Sequence, residues 1–289
     1  MDLHVLTSDE QNVLIASILG DGEITKRYPG SRRKNNSYRE HFSIQQLDYR
    51  IWKLNLLPPT FYFNKSCSFL VSPSLPLLTQ MFNHFYNSNG DKIVSLEMLK
   101  LCKSPLFLTT LFLDDGSLSI SVSKNHLKKT IYLTPHIYLY LQCLSLEDLC
   151  KLKLHIHTQF SVEVNTSKRS DGFGYILKTT KVCETMKFLK IVGEVSRDCP
   201  SMYHKTDWEF RFSQEVKRYQ ESYPGYEVIV SSSDRKKNYT EEECEVLCKM
   251  KREGRTDKEI AAHLNRPYWS VVYKWAELRK NNSEYILPD

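Results

Sequence analysis

Leu108-Thr109-Thr110-Leu111-Phe112-Leu113-Asp114-Asp115-Gly116 decides how this chain folds, because Leu14-Ile15-Ala16-Ser17-Ile18-Leu19-Gly20-Asp21-Gly22 is a degenerate copy of it. Each stretch reads as an apolar helix that runs into an acidic residue and then a glycine, followed by turn and strand signals. Asp115 follows Asp21 by 94 positions, the length of a small α/β half-domain and not of a solenoid repeat. An internal duplication built around a carboxylate organises the rest of the reading.

Both copies start with clear helix signals. Thr7-x-x-Glu10 is a capping box ahead of Val13, Leu14, Ile18 and Leu19. Ser104-Pro105 puts an N-cap residue before proline at the first helical position. Ala16 and Gly20 form a small-x-x-x-small face that invites a second helix to approach closely, and Thr109 and Thr110 stand in place of Ile15 and Ala16 in the second copy.

The same order of elements follows each glycine. In the first half a hairpin with basic strands is expected around Pro29-Gly30-Ser31, then alternation through His41–Gln45, a helix over 48–57, strands within 61–71 and helices over 75–86 and 95–102. The second half offers a Ser-rich strand over 117–123, a basic turn at 124–130 and an aromatic-rich strand over 131–142. A helix over 145–154, strands near 159–166 and 173–180 and a helix over 182–191 complete it. The expected fold is α+β: duplicated αββαββα half-domains (1–103 and 104–224) related by a pseudo-two-fold axis, with two antiparallel sheets. Residues 225–238 read as a basic flexible linker. Over 239–282 the capping boxes Thr240-x-x-Glu243 and Thr256-x-x-Glu259 announce a small all-α unit of three helices, with Trp275 in its core.

With 289 residues and 41% hydrophobic content the chain has material for a proper core. No run of eighteen apolar residues and no signal peptide is present, so a soluble intracellular protein without a membrane partner is expected, in the cytoplasm of a prokaryotic or phage host or in an organelle. The eight cysteines form no C-x-x-C pair and read as reduced, mostly buried thiols, and His155-Ile156-His157 reads as one face of an element, not as ligands. The net charge of +6 is modest but uneven: six basic residues face two acidic ones between Glu23 and Glu40.

Two helices packed along such faces bring Asp21 and Asp115 to one point. Helix C-termini carry partial negative charge, so the two carboxylates repel unless a cation sits between them. Mg²⁺ suits carboxylate and carbonyl oxygens and accepts phosphate, with Gly20 and Asp114 beside the two aspartates in the expected metal set. A phosphodiester is the substrate that fits basic flanking surfaces, and Lys92 and Lys205 are the lysines on offer to stabilise charge or activate water, one in each half. Phosphate and base contacts are expected from Lys26, Arg27, Arg32, Arg33, Lys34, Arg39, Lys124, Lys128, Lys168 and Arg169, and from Tyr268, Ser270 and Lys274 on the last helix.

The duplicated helices resemble the two motifs of single-chain LAGLIDADG homing endonucleases, over about residues 1–215. The resemblance implies that the two antiparallel sheets are saddle-shaped, with catalytic, metal-binding roles for Asp21 and Asp115 and active-site roles for Lys92 and Lys205. Gln45 and Gln142 resemble the family's water-positioning polar residues, with Gln46 an equally good candidate by spacing. It further implies a monomer that cuts both strands of a double-stranded DNA target with Mg²⁺, encoded in an intron or intein-like element. The C-terminal unit resembles a Myb-like or helix-turn-helix module. The alternative is an RNA-splicing maturase, with intron RNA as partner, or a non-cleaving DNA-binding regulator of the same fold.

Overall fold

The computed structural model describes residues 3–169, 171–231, 239–266 and 268–281. It divides into two compact units, Met1–Ser233 and Asp234–Asp289. Residues 232–238 of the expected linker, Pro267, and Asn282 at the close of the expected last unit lie outside the described residues.

In the first unit one sequence of elements occurs twice. The first half runs α1 (Ser8–Leu19), β1 (Gly22–Thr25), β2 (Ser37–His41), α2 (Leu47–Leu54), β3 (Tyr62–Phe63), β4 (Phe69–Val71) and α3 (Pro76–Phe85), with a short α4 (Leu96–Leu99) leading out. The second runs α5 (Pro105–Asp115), β5 (Gly116–Asn125), β6 (Thr130–Leu139), α6 (Leu146–Phe160), β7 (Asn165–Lys168), β8 (Tyr175–Lys178) and α7 (Val182–Val195). Then follow α8 (Tyr203–Thr206), α9 (Trp208–Ser222) and β9 (Glu227–Val230). The αββαββα order holds in both halves, and the sheets are ordered β1-β2-β4-β3 and β5-β6-β8-β7 with antiparallel neighbours.

Helices α1 and α5 pack on each other at the centre. Every residue of Asn12–Leu19 and of Phe107–Asp114 is buried, as expected of helices apolar on nearly all sides. The Thr7 capping box forms, and the Ser104 hydroxyl accepts from the Leu106 N–H with Pro105 at the first position. The Asn12 side chain donates to the Leu101 carbonyl (3.1 Å) and accepts from the Ser104 N–H (3.0 Å), so a buried amide in α1 is spent on the start of α5.

Each central helix turns into its strand at a glycine that has no room for a side chain. A Cβ at Gly22 would lie 2.3 Å from the Tyr38 hydroxyl, and one at Gly116 would lie 2.4 Å from the Phe112 carbonyl oxygen. Backbone cannot step aside as a flexible side chain does, so Gly116→Ala should destabilise the chain by about 3 kcal/mol. Urea denaturation reads this directly; a change within about 0.5 kcal/mol would mean the joint has slack.

Several expectations are corrected. The basic residues 26–34 sit in the loop between β1 and β2, and only Arg39 lies on a strand, so the first hairpin does not have basic strands. On one face of β5 and β6, Ser117, Ser119, Ser121 and Ser123 stand opposite Tyr138, His136, Thr134 and Tyr132; Ser121 and Ser123 are exposed and the rest half-buried, a hydroxyl-rich face and not a basic one. Helix α6 continues to Phe160, past the expected 154, because Leu152 and Ile156 extend its buried stripe. Helix α9 carries no sharp sequence signal and was not expected. Within the expected linker, Glu227–Val230 forms β9, parallel to Thr130–Leu133 of β6. The reason is an edge: β8 pairs with β6 only at Tyr138 and Leu139, and β9 covers the backbone that would otherwise stay unpaired. All eight cysteines are free, but only Cys102, Cys199 and Cys248 are buried; Cys143, Cys150 and Cys183 are exposed on a loop and on outer helix faces. Among the described residues no helix is long and apolar enough to cross a membrane.

The second unit comprises α10 (Glu241–Arg252), α11 (Asp257–His263) and α12 (Tyr268–Asn281). Both capping boxes form. Leu247, Ile260, Ala261 and Val271 are its buried core, with Trp275 and Leu278 packed against them.

Candidate active site

The two helix ends converge. A Cβ on Gly20 would lie 2.9 Å from the Asp114 Cβ and 3.2 Å from an Asp115 carboxylate oxygen, so the absent side chain lets the tips of α1 and α5 meet. Lys92 donates to the carbonyls of Gly20 (2.6 Å) and Gly22 (2.9 Å), and Lys205 donates to the Leu113 carbonyl (2.8 Å). Each lysine thus places its charge on the negative end of the helix in its own half. Asp21, Asp115, Lys92 and Lys205 are brought together, and the Gly20 carbonyl is already engaged by Lys92.

The two aspartates stand in different surroundings. Among the described residues no hydrogen bond reaches the Asp115 side chain, and its carboxyl is pushed up to about 7 by burial first, then by the charges of Asp21 and Asp114. Arg50 donates to Asp21 at 2.5 Å. Burial lowers the Lys205 ammonium below its ordinary range, against the pull of Asp114 and Asp21. An ion-accepting carboxylate without a donor, next to a second one at two helix C-termini, is a donor set that fits a hard divalent cation.

The Asp114 carboxylate, unlike that of Asp115, is already engaged by hydrogen-bond donors. Its Oδ1 accepts from Tyr49 (2.7 Å), Arg50 (2.8 Å) and Lys53 (2.6 Å), and its Oδ2 from Lys53 (2.8 Å). Glu40 binds the same cations, Lys53 at 2.8 Å and Arg50 still closer, and takes the Tyr38 hydroxyl at 2.5 Å. Asp21, Glu40 and Asp114 present oxygens within 4.8 Å of one another, the spacing of a metal cluster. Arg50 and Lys53 both bind Glu40 and Asp114 there, so a metal at those two carboxylates would have to displace buried donors. Burial opposes the Asp114 charge, but Lys53 and Arg50 outweigh it and hold the carboxyl below its ordinary range. Burial likewise opposes the Arg50 charge, and Asp114 and Glu40 more than restore it.

The glutamines stand apart. Gln45 lies in a 3₁₀ turn (Ile44–Gln46) and Gln142 in the loop after β6; both are exposed, and neither bonds to the aspartates. Gln46 is the one that reaches the cluster, accepting from Arg50 at 3.5 Å. Of the expected DNA contacts, Lys26, Arg32, Lys34, Lys128 and Lys168 are exposed, without side-chain hydrogen bonds among the described residues. Arg27 donates to the Lys34 carbonyl, Arg33 to Ser37, Arg39 to Glu23 and Arg169 to Asp171. Lys124 is held by Tyr223, 2.5 Å from the hydroxyl and 4.1 Å from the ring centre. In the second unit Tyr268 is exposed, Ser270 accepts from Tyr239 (3.3 Å) and Lys274 pairs with Glu277 (2.9 Å).

Sequence reasoning missed Arg50, Lys53, Glu40, Tyr38 and Tyr49. The expected helix over 48–57 reads as amphipathic, yet in α2 Tyr49, Arg50 and Lys53 are buried and Ile51 is 44% exposed. One signal was available: Asp114 in an otherwise apolar, all-round buried helix demands a buried cation from somewhere.

The family model of the LAGLIDADG DNA endonuclease family matches residues 11–184. Among curated proteins none matches. The solved structure of the homing endonuclease I-WcaI bound to its DNA recognition sequence is 18% identical, with a TM-score of 0.51, over 70% of this chain and 87% of that one. The I-LtrWI LAGLIDADG homing endonuclease bound to target DNA matches at 11% identity and a TM-score of 0.41, over 75% and 92%. Full-length DUF199/WhiA from Thermatoga maritima matches at 12% identity and a TM-score of 0.34, over 99% and 97%. At 18% identity the I-WcaI structure speaks for the fold alone, while the sequence match spans more than half of the chain and both aspartates. The chain belongs to the LAGLIDADG DNA endonuclease family.

Proposed function

We propose that the chain is a site-specific double-strand DNA endonuclease of the homing type, serving a mobile element and acting as a monomer, with Mg²⁺ held by Asp21 and Asp115. The observation that carries this reading is the convergence of the two Asp–Gly helix ends with a lysine on each, one set per half, in a chain that needs no second copy to complete them. The ion would supply Lewis-acid stabilisation of phosphate charge and a more acidic bound water. Lys92 and Lys205 hold positive charge beside the scissile phosphates. Lys205, lowered by its burial, is the better placed of the two to exchange a proton. The hydroxyl-rich face of β5 and β6 offers donors and acceptors to base edges, and the exposed loop lysines and Arg32 hold the backbone.

Selection of cleaved sites from a randomised DNA library with Mg²⁺, with Asp115→Asn as control, tests the reading: no enrichment over the control rejects it. With about five phosphate contacts, log K against log salt should fall with a slope of about −4 to −5; a flat response in a filter-binding titration would remove the loop lysines from the interface. The three-helix unit is assigned added DNA contacts through α12. Truncation after Ser231 should weaken affinity several-fold and leave the cut position unchanged on a sequencing gel. A shifted cut would show instead that this unit sets the register.

One observation favours a second reading. The Arg50 guanidinium occupies an oxygen of Asp21, as suits a non-cleaving DNA-binding regulator or an RNA maturase. Metal titration of the wild-type chain separates the two.

A further inference from the structure

Gly20 and Asp114 hold the same place in the two copies, one residue before the aspartate, and each faces the other half. The pockets they face have diverged. In the first half the buried positions of α2 are Tyr49, Arg50 and Lys53, and β2 contributes Glu40 opposite Gly22. In the second, α6 buries Leu149, Leu152 and Ile156 beside Asp148 at its capped start, and β6 places Leu139 opposite Gly116. One copy sends a carboxylate into an ionic pocket; the other has no side chain at that place, and the matching elements of its partner half are apolar.

The ionic pocket ends at the catalytic carboxylate. Arg50 is a planar fork: Nη1 binds Asp114 at 2.8 Å and also reaches Glu40, while Nη2 binds Asp21 at 2.5 Å. Because the fork is rigid, whatever holds one nitrogen sets the other. Arg50 and Lys53 are buried, so water does not relax the arrangement. Asp115 has no such partner among the described residues.

We propose that Asp114 is a positioning residue of the second half that governs Asp21 in the first through Arg50, so that the two metal-binding carboxylates are held unequally. By sharing the guanidinium with Glu40, Asp114 takes up part of its positive charge and so lessens the competition that Arg50, held on Asp21 at 2.5 Å, offers a cation there. Neutralising Asp114 leaves more of the Arg50 charge to Asp21 and weakens cation binding most at that carboxylate. This rests on the metal role of Asp21 proposed above.

The test is Mn²⁺ binding to the metal-free full chain by calorimetry and electron paramagnetic resonance, needing neither DNA nor turnover. Asp21→Asn identifies the binding step that depends on Asp21. Asp114→Asn should weaken that step about tenfold, keep the rest within twofold, and have no further effect in an Arg50→Gln background. Tyr49→Phe removes a competing donor from Asp114, tightens its hold on Arg50, and should strengthen the same step two- to threefold; it carries the test if Asp114→Asn does not fold. Equal weakening of every step, an additive loss in the Arg50→Gln background, or an unchanged step in Tyr49→Phe would overturn the positioning role alone. A wild-type chain that takes up no Mn²⁺ would overturn the metal reading itself, and this inference with it.

Discussion

Replacing Asp115 with asparagine should reduce double-strand cutting about a thousandfold or more while DNA affinity stays near that of the wild type. In the role proposed for Asp115, losing a metal carboxylate removes several kcal/mol of transition-state stabilisation, and each 1.36 kcal/mol is tenfold in rate. Single-turnover cleavage beside a binding titration in Ca²⁺ reads both quantities, and cutting at the wild-type rate would strike Asp115 from the site. The same substitution should stabilise the metal-free chain. Burial and the charges of Asp21 and Asp114 push the Asp115 carboxyl up to about 7. The folded chain therefore keeps a proton that the unfolded chain gives up near pH 4, and stability falls as pH rises between those values. At pH 8 in chelator, Asp115→Asn should melt higher than wild type by the equivalent of about 1–3 kcal/mol, and the gap should close near pH 4. A gap that does not depend on pH would place its origin elsewhere.

Replacing Lys53 with methionine should destabilise the chain by about 3–5 kcal/mol, the usual cost of removing one partner from a buried ionic set. The fully buried ammonium bridges Glu40 and Asp114, and Arg50 alone would remain to neutralise both and Asp21. Denaturation with two probes reads the loss. The sign with pH is opposite to that of Asp115: the Asp114 carboxyl is held below its ordinary range, so its contribution is present above about pH 4 and is lost on acidification. Lys53→Met should be least harmful in acid, where Asp114 becomes neutral. A loss below about 1 kcal/mol at pH 7 would mean that water reaches the pocket.

The central helices and both half-domains were legible because their signals are local: caps, proline at the first helical turn, glycine at the last, and one spacing repeated. That Asp21, Asp115, Lys92 and Lys205 come together was legible for a different reason, since duplication sets equivalent residues side by side without any need to know contacts. What stayed hidden depends on partners distant in sequence. Arg50 and Lys53 look like solvent-facing charges until Asp114, more than sixty positions away, is placed against them. Strand β9 has a weak pattern of its own and forms because β6 leaves an edge to fill. Charge counted along 23–40 marks a basic segment correctly but not that its residues lie beyond the strand ends.

The unequal pockets also bear on descent. A chain assembled from two copies of the first half would bury Arg50 and Lys53 twice with no Asp114 to meet either pair. One assembled from two second halves would drive a carboxylate into a largely apolar pocket on each side. Whatever symmetric ancestor the repeat implies, the present halves are no longer interchangeable, and no single substitution returns them to symmetry.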